Sequence, residues 1–375
     1  MINNIFIKNF KAAHDLDIRM APLTVLAGLN GSGKSSVLQA IAALKQTCIS
    51  GNDSHFRLRG GLVQLGTFVD VHTEGALEDF FSIEVEEGGN VYRWEVSAPA
   101  ESSETLYRKE GHGLPTFLAE GAFQMMPADR MVPRNSYPKS EFGSDLGWLG
   151  PRGEYAVEFI MSDERGDVPA ALHFPRAGLG LSDELLSKVG PTASLKDQVS
   201  GWLQQLSPGV RINVDELQGT DEVSLSYGYV GRAGMRESDR KIRPSNVGFG
   251  LTYSLPIIVA CLSAPRSSLL LLENPEAHLH PQGQSALGGL LARVANSGVQ
   301  VIVETHSDHV LNGIRLAAKS GVVASDYVAI HYLTRDVETG YAEVQSPALL
   351  SDGRLATWPR GFFDQWDMAV DALLE

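Results

Sequence analysis

The apolar positions near the start of the chain fall in short runs. Ile5-Phe6-Ile7 and Leu16-Asp17-Ile18 predict short strands, and Leu23-Thr24-Val25-Leu26 a buried one, followed at once by a helical stretch from Ser35 to Thr47. Phe81 to Val85 and Val91 to Val96 alternate apolar with polar and flank Glu87-Gly88-Gly89-Asn90, the pattern of a hairpin. From 98 to 155 Gly, Pro and Ser are abundant and no periodicity emerges. Residues 181–206 read as helical and end near Ser207-Pro208-Gly209; strands return at 210–214 and 223–229. From 245 onward the pattern alternates: helix 245–263, strand 268–273, helix 281–297, strand 299–304, helix 308–319. The runs Leu269-Leu270-Leu271-Leu272 and Val299 to Val303 are apolar nearly throughout, as expected for parallel strands covered on both faces. The prediction is an α/β protein whose first half begins near residue 1 and whose second half resumes near 210.

Composition narrows the class. The chain has 375 residues, 43% hydrophobic and 20% charged, which suits a packed core and not a disordered chain. The net charge of −14 argues against a protein that coats nucleic acid without specificity, though not against a local basic groove. No apolar run reaches the roughly 18 residues of a membrane span. The opening Met1-Ile2-Asn3-Asn4-Ile5 lacks a basic segment followed by an apolar one. Two cysteines, Cys48 and Cys261, cannot build a disulfide framework or a Cys-based zinc site. A cytoplasmic protein without membrane attachment is the expectation.

Four motifs carry chemistry. Gly28-Leu29-Asn30-Gly31-Ser32-Gly33-Lys34-Ser35 fits G-x-x-x-x-G-K-[ST] between a buried strand and a helix. Its glycines let successive N–H groups face phosphates, and the helix start adds positive potential. Lys34 is expected to reach the β- and γ-phosphates, and the Ser35 hydroxyl to ligate Mg²⁺. Glu273, ending an apolar strand ahead of Asn274-Pro275-Glu276, falls at the ligand-binding edge of such a sheet and is the candidate metal ligand opposite Ser35. His306, in Glu304-Thr305-His306-Ser307, ends the next strand and can face the γ-phosphate or the attacking water; the other reading is a structural histidine before a helix capped by Ser307 or Asp308. Ser245-Asn246-Val247-Gly248-Phe249-Gly250 opens a long apolar helix and forms a second anion site, which makes sense if it completes the nucleotide pocket of another copy.

The order of P-loop, Ser-Asn-x-Gly-x-Gly, Glu-Asn-Pro-Glu-Ala-His-Leu-His-Pro and Thr-His-Ser resembles the ABC-type ATPase heads of the SMC, RecF and OLD (overcoming lysogenization defect) group. The Glu276–Pro281 stretch and the ending Trp358-Pro359-Arg360-Gly361-Phe362-Phe363-Asp364 most resemble stand-alone prokaryotic ATPases near the OLD branch. The motifs cover 1–47 and 245–312; the middle third matches nothing known to us. The resemblance implies a P-loop ATPase head with an inserted lid subdomain: a lobe over 1–97, an inserted lid or partner-docking region over 98–208, a second lobe over 209–345 and a tail helix over 346–375. It also implies a head-to-tail homodimer, with higher oligomers open. ATP on Gly28–Ser36 (Asn30, Gly31, Ser32, Gly33, Lys34, Ser35 and Ser36) would be closed by Ser245 and Gly248 of the other copy. Glu273 then corresponds to the Walker B acid, His306 to the switch histidine and Ala277–Pro281 to the D-loop region. Gln64 is a candidate Q-loop residue. Phe10 and Lys11 lie either near the base or γ-phosphate or in a surface loop.

One departure bears on catalysis. Family heads usually place a catalytic Glu after the Walker B acid; here that residue is Asn274, which can orient a water but cannot accept its proton. Slow hydrolysis and a long-lived ATP-bound dimer follow, with Glu276 as a possible substitute base. About 210 residues separate Gly33 from Ser245 without sustained heptads, so a compact subdomain is expected instead of a coiled-coil arm. Arg130, Arg134 and Lys139, beside Tyr137, form a sparse basic stretch; Arg236, Arg240, Lys241 and Arg243 form a denser one. Each reads either as a nucleic-acid contact or as solvated loop charge. No Asp/Glu/His cluster suggests a nuclease, and the roughly 70 residues after Ser307 are too few for the Toprim domain of OLD proteins. Effector activity, nuclease or toxin, is therefore expected in a separate partner. The last residues, Phe362 to Leu374, place Phe363, Trp366, Val370 and Leu373 at helical spacing, with core packing expected. The functions left standing are an ATP-driven switch in anti-phage defence and a RecF-like DNA-repair ATPase. A transporter ATPase would carry Leu-Ser-Gly-Gly-Gln, absent here, and a P-loop kinase would need no second glycine-rich helix start.

Overall fold

The computed structural model describes residues 1–49, 55–98, 105–111, 115–140, 148–162, 166–176, 187–230 and 241–374, with the single residues 100 and 182. The N-terminal part supplies β1 (Ile2–Phe10), β2 (Ala13–Arg19), β3 (Leu23–Gly28), α1 (Lys34–Ile49), β4 (His55–Arg57), β5 (Phe80–Glu87), β6 (Asn90–Ser97) and β7 (Thr105–Gly111). The chain continues through α2 (Thr116–Glu120), β8 (Phe123–Met126), β9 (Ser136–Pro138), α3 (Ala156–Ser162), α4 (Leu195–Leu203), β10 (Val210–Glu216) and β11 (Glu222–Tyr229). It ends with α5 (Phe249–Ser263), β12 (Leu269–Glu273), α6 (Pro281–Asn296), β13 (Gln300–Thr305), α7 (Asp308–Lys319), β14 (Val328–Arg335), β15 (Ala342–Gln345) and α8 (Gln365–Leu374).

An antiparallel sheet runs in the order β2-β1-β5-β6-β7-β4, and a central sheet in the order β15-β14-β3-β13-β12-β8. In the central sheet all neighbours are parallel except the edge pair β14–β15. A small sheet, β10-β11-β9, covers the far side. The period of two along a strand divides each apolar run between two cores. Leu269, Leu271 and Ile302 face the core shared with α1 and the antiparallel sheet; Leu270, Leu272, Val301 and Val303 face the core built with α5, α6 and α7. Burying each such side chain contributes roughly 1.5–3 kcal/mol, so a run apolar on both faces has to be sandwiched. Gln300 anchors the chain start to this sheet: its side chain accepts from Ile2 N (2.9 Å) and donates to Ile2 O (2.7 Å).

The hairpin falls where its turn predicts, Glu87 pairing with Asn90 across Gly88 and Gly89, both at positive φ. Other expectations change. The 181–206 helix is confined in its described part chiefly to α4, because Gly190 at positive φ and Pro191 break the chain and Ser194 caps a new start. The long helix begins at Phe249, not 245; Pro244–Asn246 is a separate single turn, and Gly248 is the N-cap. The tail helix starts at Gln365, and its packing is not as expected. Phe362, ahead of the helix, is fully buried, whereas Leu373 is 84% exposed; the Trp366 side chain lies outside the described residues.

The described part of the 98–208 stretch threads through both lobes instead of standing apart from them. β7 extends the antiparallel sheet, and β8 forms the edge of the central sheet beside β12. Its only sequence signal, Phe-Gln-Met-Met, is too short to read as a strand without its partner. Lys45 of α1 fixes the approach to β8: its buried ammonium donates to Leu118 O (2.6 Å) and Gly121 O (3.0 Å) at the end of α2, where carbonyls are otherwise unpaired. Among the described residues, no helix is long and apolar enough to cross a membrane.

Candidate functional site

The P-loop leaves β3 at Gly28, whose φ is +146°; a Cβ there would lie 2.1 Å from the Leu333 carbonyl of β14. Only glycine can pass. Gly33, at φ +96°, is pressed against Ala342 and Ala12, so the loop is clamped between β15 and the β1–β2 turn. Lys34 is 2% exposed; its ammonium donates to Leu29 O (2.7 Å) and lies 3.9 Å from Glu304 Oε1. Burial lowers its pKa, opposed by the charges of Glu304 and Glu276. The Ser35 hydroxyl donates to Glu304 Oε1 at 2.9 Å.

Glu304 thus stands where Glu273 was expected. The reason is strand order. β13 adjoins the P-loop strand, with Glu304 in register with Leu26, whereas Glu273 sits one strand further out, in register with Glu304. One strand spacing is about 4.8 Å, so the acid ending β13 meets Ser35 first. Glu273 accepts from Ala128 N through one oxygen (3.1 Å). Glu276 accepts from His306 N (2.8 Å). In each of the three carboxylates the other oxygen is buried without a partner, and so is Asn274 Oδ1. Burial raises the pKa of all three acids, and Glu273 and Glu276 raise that of Glu304 further. Crowded, desolvated carboxylates with unused acceptors fit a cation. Among the described residues no group of three or more His, Cys, Asp or Glu is arranged to hold a metal unaided. The donor set that fits Mg²⁺ is a hydroxyl and carboxylates completed by phosphate oxygens.

The partly exposed His306 ring bonds the Gly28 backbone, and burial, then the Lys34 charge, depress its pKa. Ser307 caps α7 by accepting from Val310 N (3.0 Å), so the histidine is left free of the capping role. A cleft of about 550 Å³ opens beside it, lined by Gly28, Leu29, His306, Tyr332, Arg360 and Phe363. The Arg360–Asp364 stretch therefore borders the P-loop. Lys11, at φ 55°, donates to Gln39 Oε1 of α1 (2.7 Å) and feels the charge of Glu273. Phe10, in contrast, is wholly buried against Phe81, so it does not sit in a surface loop. Gln64 donates to Gly60 O within its own loop (2.6 Å). Ser245, Asn246 and Gly248 are exposed at the start of α5.

Three family models match. Residues 1–94 match an AAA ATPase domain, 184–312 an AAA domain described as putative AbiEii toxin, type IV TA system, and 323–373 a protein of unknown function, DUF3696. The OLD nuclease of Thermus scotoductus (strain ATCC 700910 / SA-01) is 24% identical over 387 residues, covering 92% of this chain and 67% of that protein. An SMC head bound to the C-terminal winged-helix domain of ScpA shares the fold with TM-score 0.53 at 14% identity, covering 93% of this chain and 98% of the other. The Pyrococcus furiosus SMC head with an extended coiled coil, bound to the C-terminal domain of ScpA, has TM-score 0.50 at 13% identity, covering 100% and 99%. Together these matches support an OLD/SMC-like P-loop ATPase.

Two residues of this OLD/SMC-like ATPase escape a motif reading. Glu304 is visible in sequence only as an acid ending an apolar strand, the same signal that marked Glu273. Arg130, read as basic surface, is 1% exposed. Its guanidinium donates to the carbonyls of Glu273 (2.9 Å), Asn274 (2.7 Å), Pro127 (2.9 Å) and Tyr253 (3.1 Å). Burial brings its pKa down to about 10. Of the other basic residues, Lys139 pairs with Glu216 and Lys241 with Asp215, while Arg236 and Arg240 lie outside the described residues.

Proposed function

We propose that this OLD/SMC-like ATPase is a slowly hydrolysing ATP switch. Two copies clasp ATP between the P-loop of one and the Ser245–Gly248 turn of the other, and the closed dimer signals to a separate nuclease or toxin in prokaryotic anti-phage defence. Support comes from one contrast. The P-loop is built against an acidic sheet edge, while the glycine-flanked start of α5 faces solvent and so is free to serve a neighbour. The toxin–antitoxin description of the matched family and the nuclease relative support an effector role.

In this reading Lys34 leaves Leu29 O to neutralise phosphate charge, and the N–H groups of Gly31–Ser36 bind the phosphates. Ser35 and Glu304, with Glu273 behind, would hold Mg²⁺, which when bound screens the charge between the phosphates. Asn274 orients the attacking water, and Glu276, with one free oxygen and a raised pKa, is the available proton acceptor. His306 hydrogen-bonds the γ-phosphate or that water. The cytoplasm is the proposed site of action.

Light scattering tests the reading. The parent should dimerise with ATP and Mg²⁺, and Lys34→Ala and Ser245→Arg should each stay monomeric. An ATP-dependent dimer that survives Ser245→Arg would sink the sandwich. The RecF-like alternative has less support, since Arg130 is buried and Lys139 and Lys241 are ion-paired.

A further inference from the structure

Arg130 joins segments that meet only in the folded chain. It leaves the loop after β8 and bonds the carbonyls of Glu273 and Asn274, the acidic turn, and that of Tyr253, in the second turn of α5. Its guanidinium also stacks on the Tyr253 ring at 4.2 Å, and the Tyr253 hydroxyl donates to Ala128 O. Ala128 N in turn donates to the Glu273 carboxylate, closing a loop of contacts. Asn274 and His278 both have positive φ, 43° and 65°, so the turn between them departs from relaxed backbone. The start of α5 rests on that turn: a Cβ at Gly250 would lie 2.6 Å from the His278 carbonyl, and the Phe249 and Tyr253 rings flank the His278 ring at 4.7 and 5.0 Å. Phe249 is itself 41% exposed, one residue past Gly248.

We propose that Arg130 is a positioning residue for hydrolysis, holding the Asn274 turn in place through its carbonyl and tying that turn to the exposed start of α5. Whatever seats on the Ser245–Gly248 turn is thereby felt at Asn274 and Glu273 of the same chain. A planar guanidinium with donors in three directions is needed; a lysine ammonium at the same depth cannot span four carbonyls on three segments or stack on Tyr253. This inference rests on the P-loop reading.

The test compares the full-length parent with Arg130→Lys and Arg130→Gly, measuring binding of a fluorescent ATP analogue and steady-state phosphate release. Arg130→Lys should lose about 100-fold in kcat, with KM and analogue affinity within about threefold of the parent. Millimolar guanidinium, but not ammonium, should restore at least about tenfold to Arg130→Gly. If Arg130→Gly does not fold, the kcat-against-KM split of Arg130→Lys decides alone. An unchanged kcat in Arg130→Lys, or a loss of kcat matched by loss of analogue binding, overturns the proposal. Failure of the P-loop reading is distinguishable: the parent itself would then bind no analogue, or Lys34→Ala would bind it undiminished.

Discussion

The Ser35 hydroxyl donates to Glu304 Oε1 across 2.9 Å, although 269 positions separate the two residues. Parallel pairing of β3 with β13 brings them together. Glu304→Gln keeps an acceptor for Ser35 but removes the charge. ATP affinity in Mg²⁺ should fall about tenfold or more, with affinity in EDTA nearly unchanged, as read by calorimetry. Burial raises the Glu304 pKa, so its ionised form is the costly one at neutral pH, and the free variant should melt at or above the parent's temperature. If Mg²⁺ dependence survives Glu304→Gln and is lost in Glu273→Gln, the metal role belongs to Glu273.

Asn274 sits in a left-handed turn with its side-chain oxygen buried and unpartnered. Asn274→Glu places a proton acceptor there. Positioned general bases typically contribute 10²–10⁴-fold, and an increase of at least about tenfold in phosphate release is expected. The melting temperature should fall somewhat, because Glu tolerates positive φ less well than Asn. Turnover no higher than the parent's would show that Asn274 does not limit chemistry.

His331 is buried between Arg19 O, 2.7 Å from Nε2, and Ser346 Oγ, 2.8 Å from Nδ1. Burial holds its folded pKa below the ordinary imidazole value of about 6.5. Above that value neither state takes the proton and stability is full. As pH falls through it the unfolded chain gains a proton that the folded one refuses, and stability is lost. The drop in melting temperature from pH 7.5 to 5.5 should be larger in the parent than in His331→Gln. Parallel pH profiles would remove His331 as the cause.

The tail divides sharply. Phe362 is fully buried and packs on Tyr332, Trp358 and Phe363 with ring centroids at 5.1, 5.3 and 4.9 Å. Phe362→Ala should cost about 3–5 kcal/mol in urea unfolding. Leu373→Ala, on the exposed side of α8, should stay within about 0.5 kcal/mol. A comparable loss from both would mean that α8 packs against the body.

The P-loop, the hairpin and the apolar strands were legible because each is a local pattern: a turn chemistry, or a period set by the backbone. β8 was not, because four residues become a strand only when β12 offers them a ladder. Phe362 and Leu373 share one apolar stretch, and nothing in their spacing says which meets Tyr332.

Sequence alone determined that this chain makes a glycine-rich loop of the P-loop pattern before a helix, and that two acids end buried strands, since glycines and apolar runs act through their near neighbours. Only the tertiary structure decided which acid meets Ser35 and that Arg130 points inward. Strand order and the burial of a charge depend on contacts between segments hundreds of residues apart, and no local pattern encodes them.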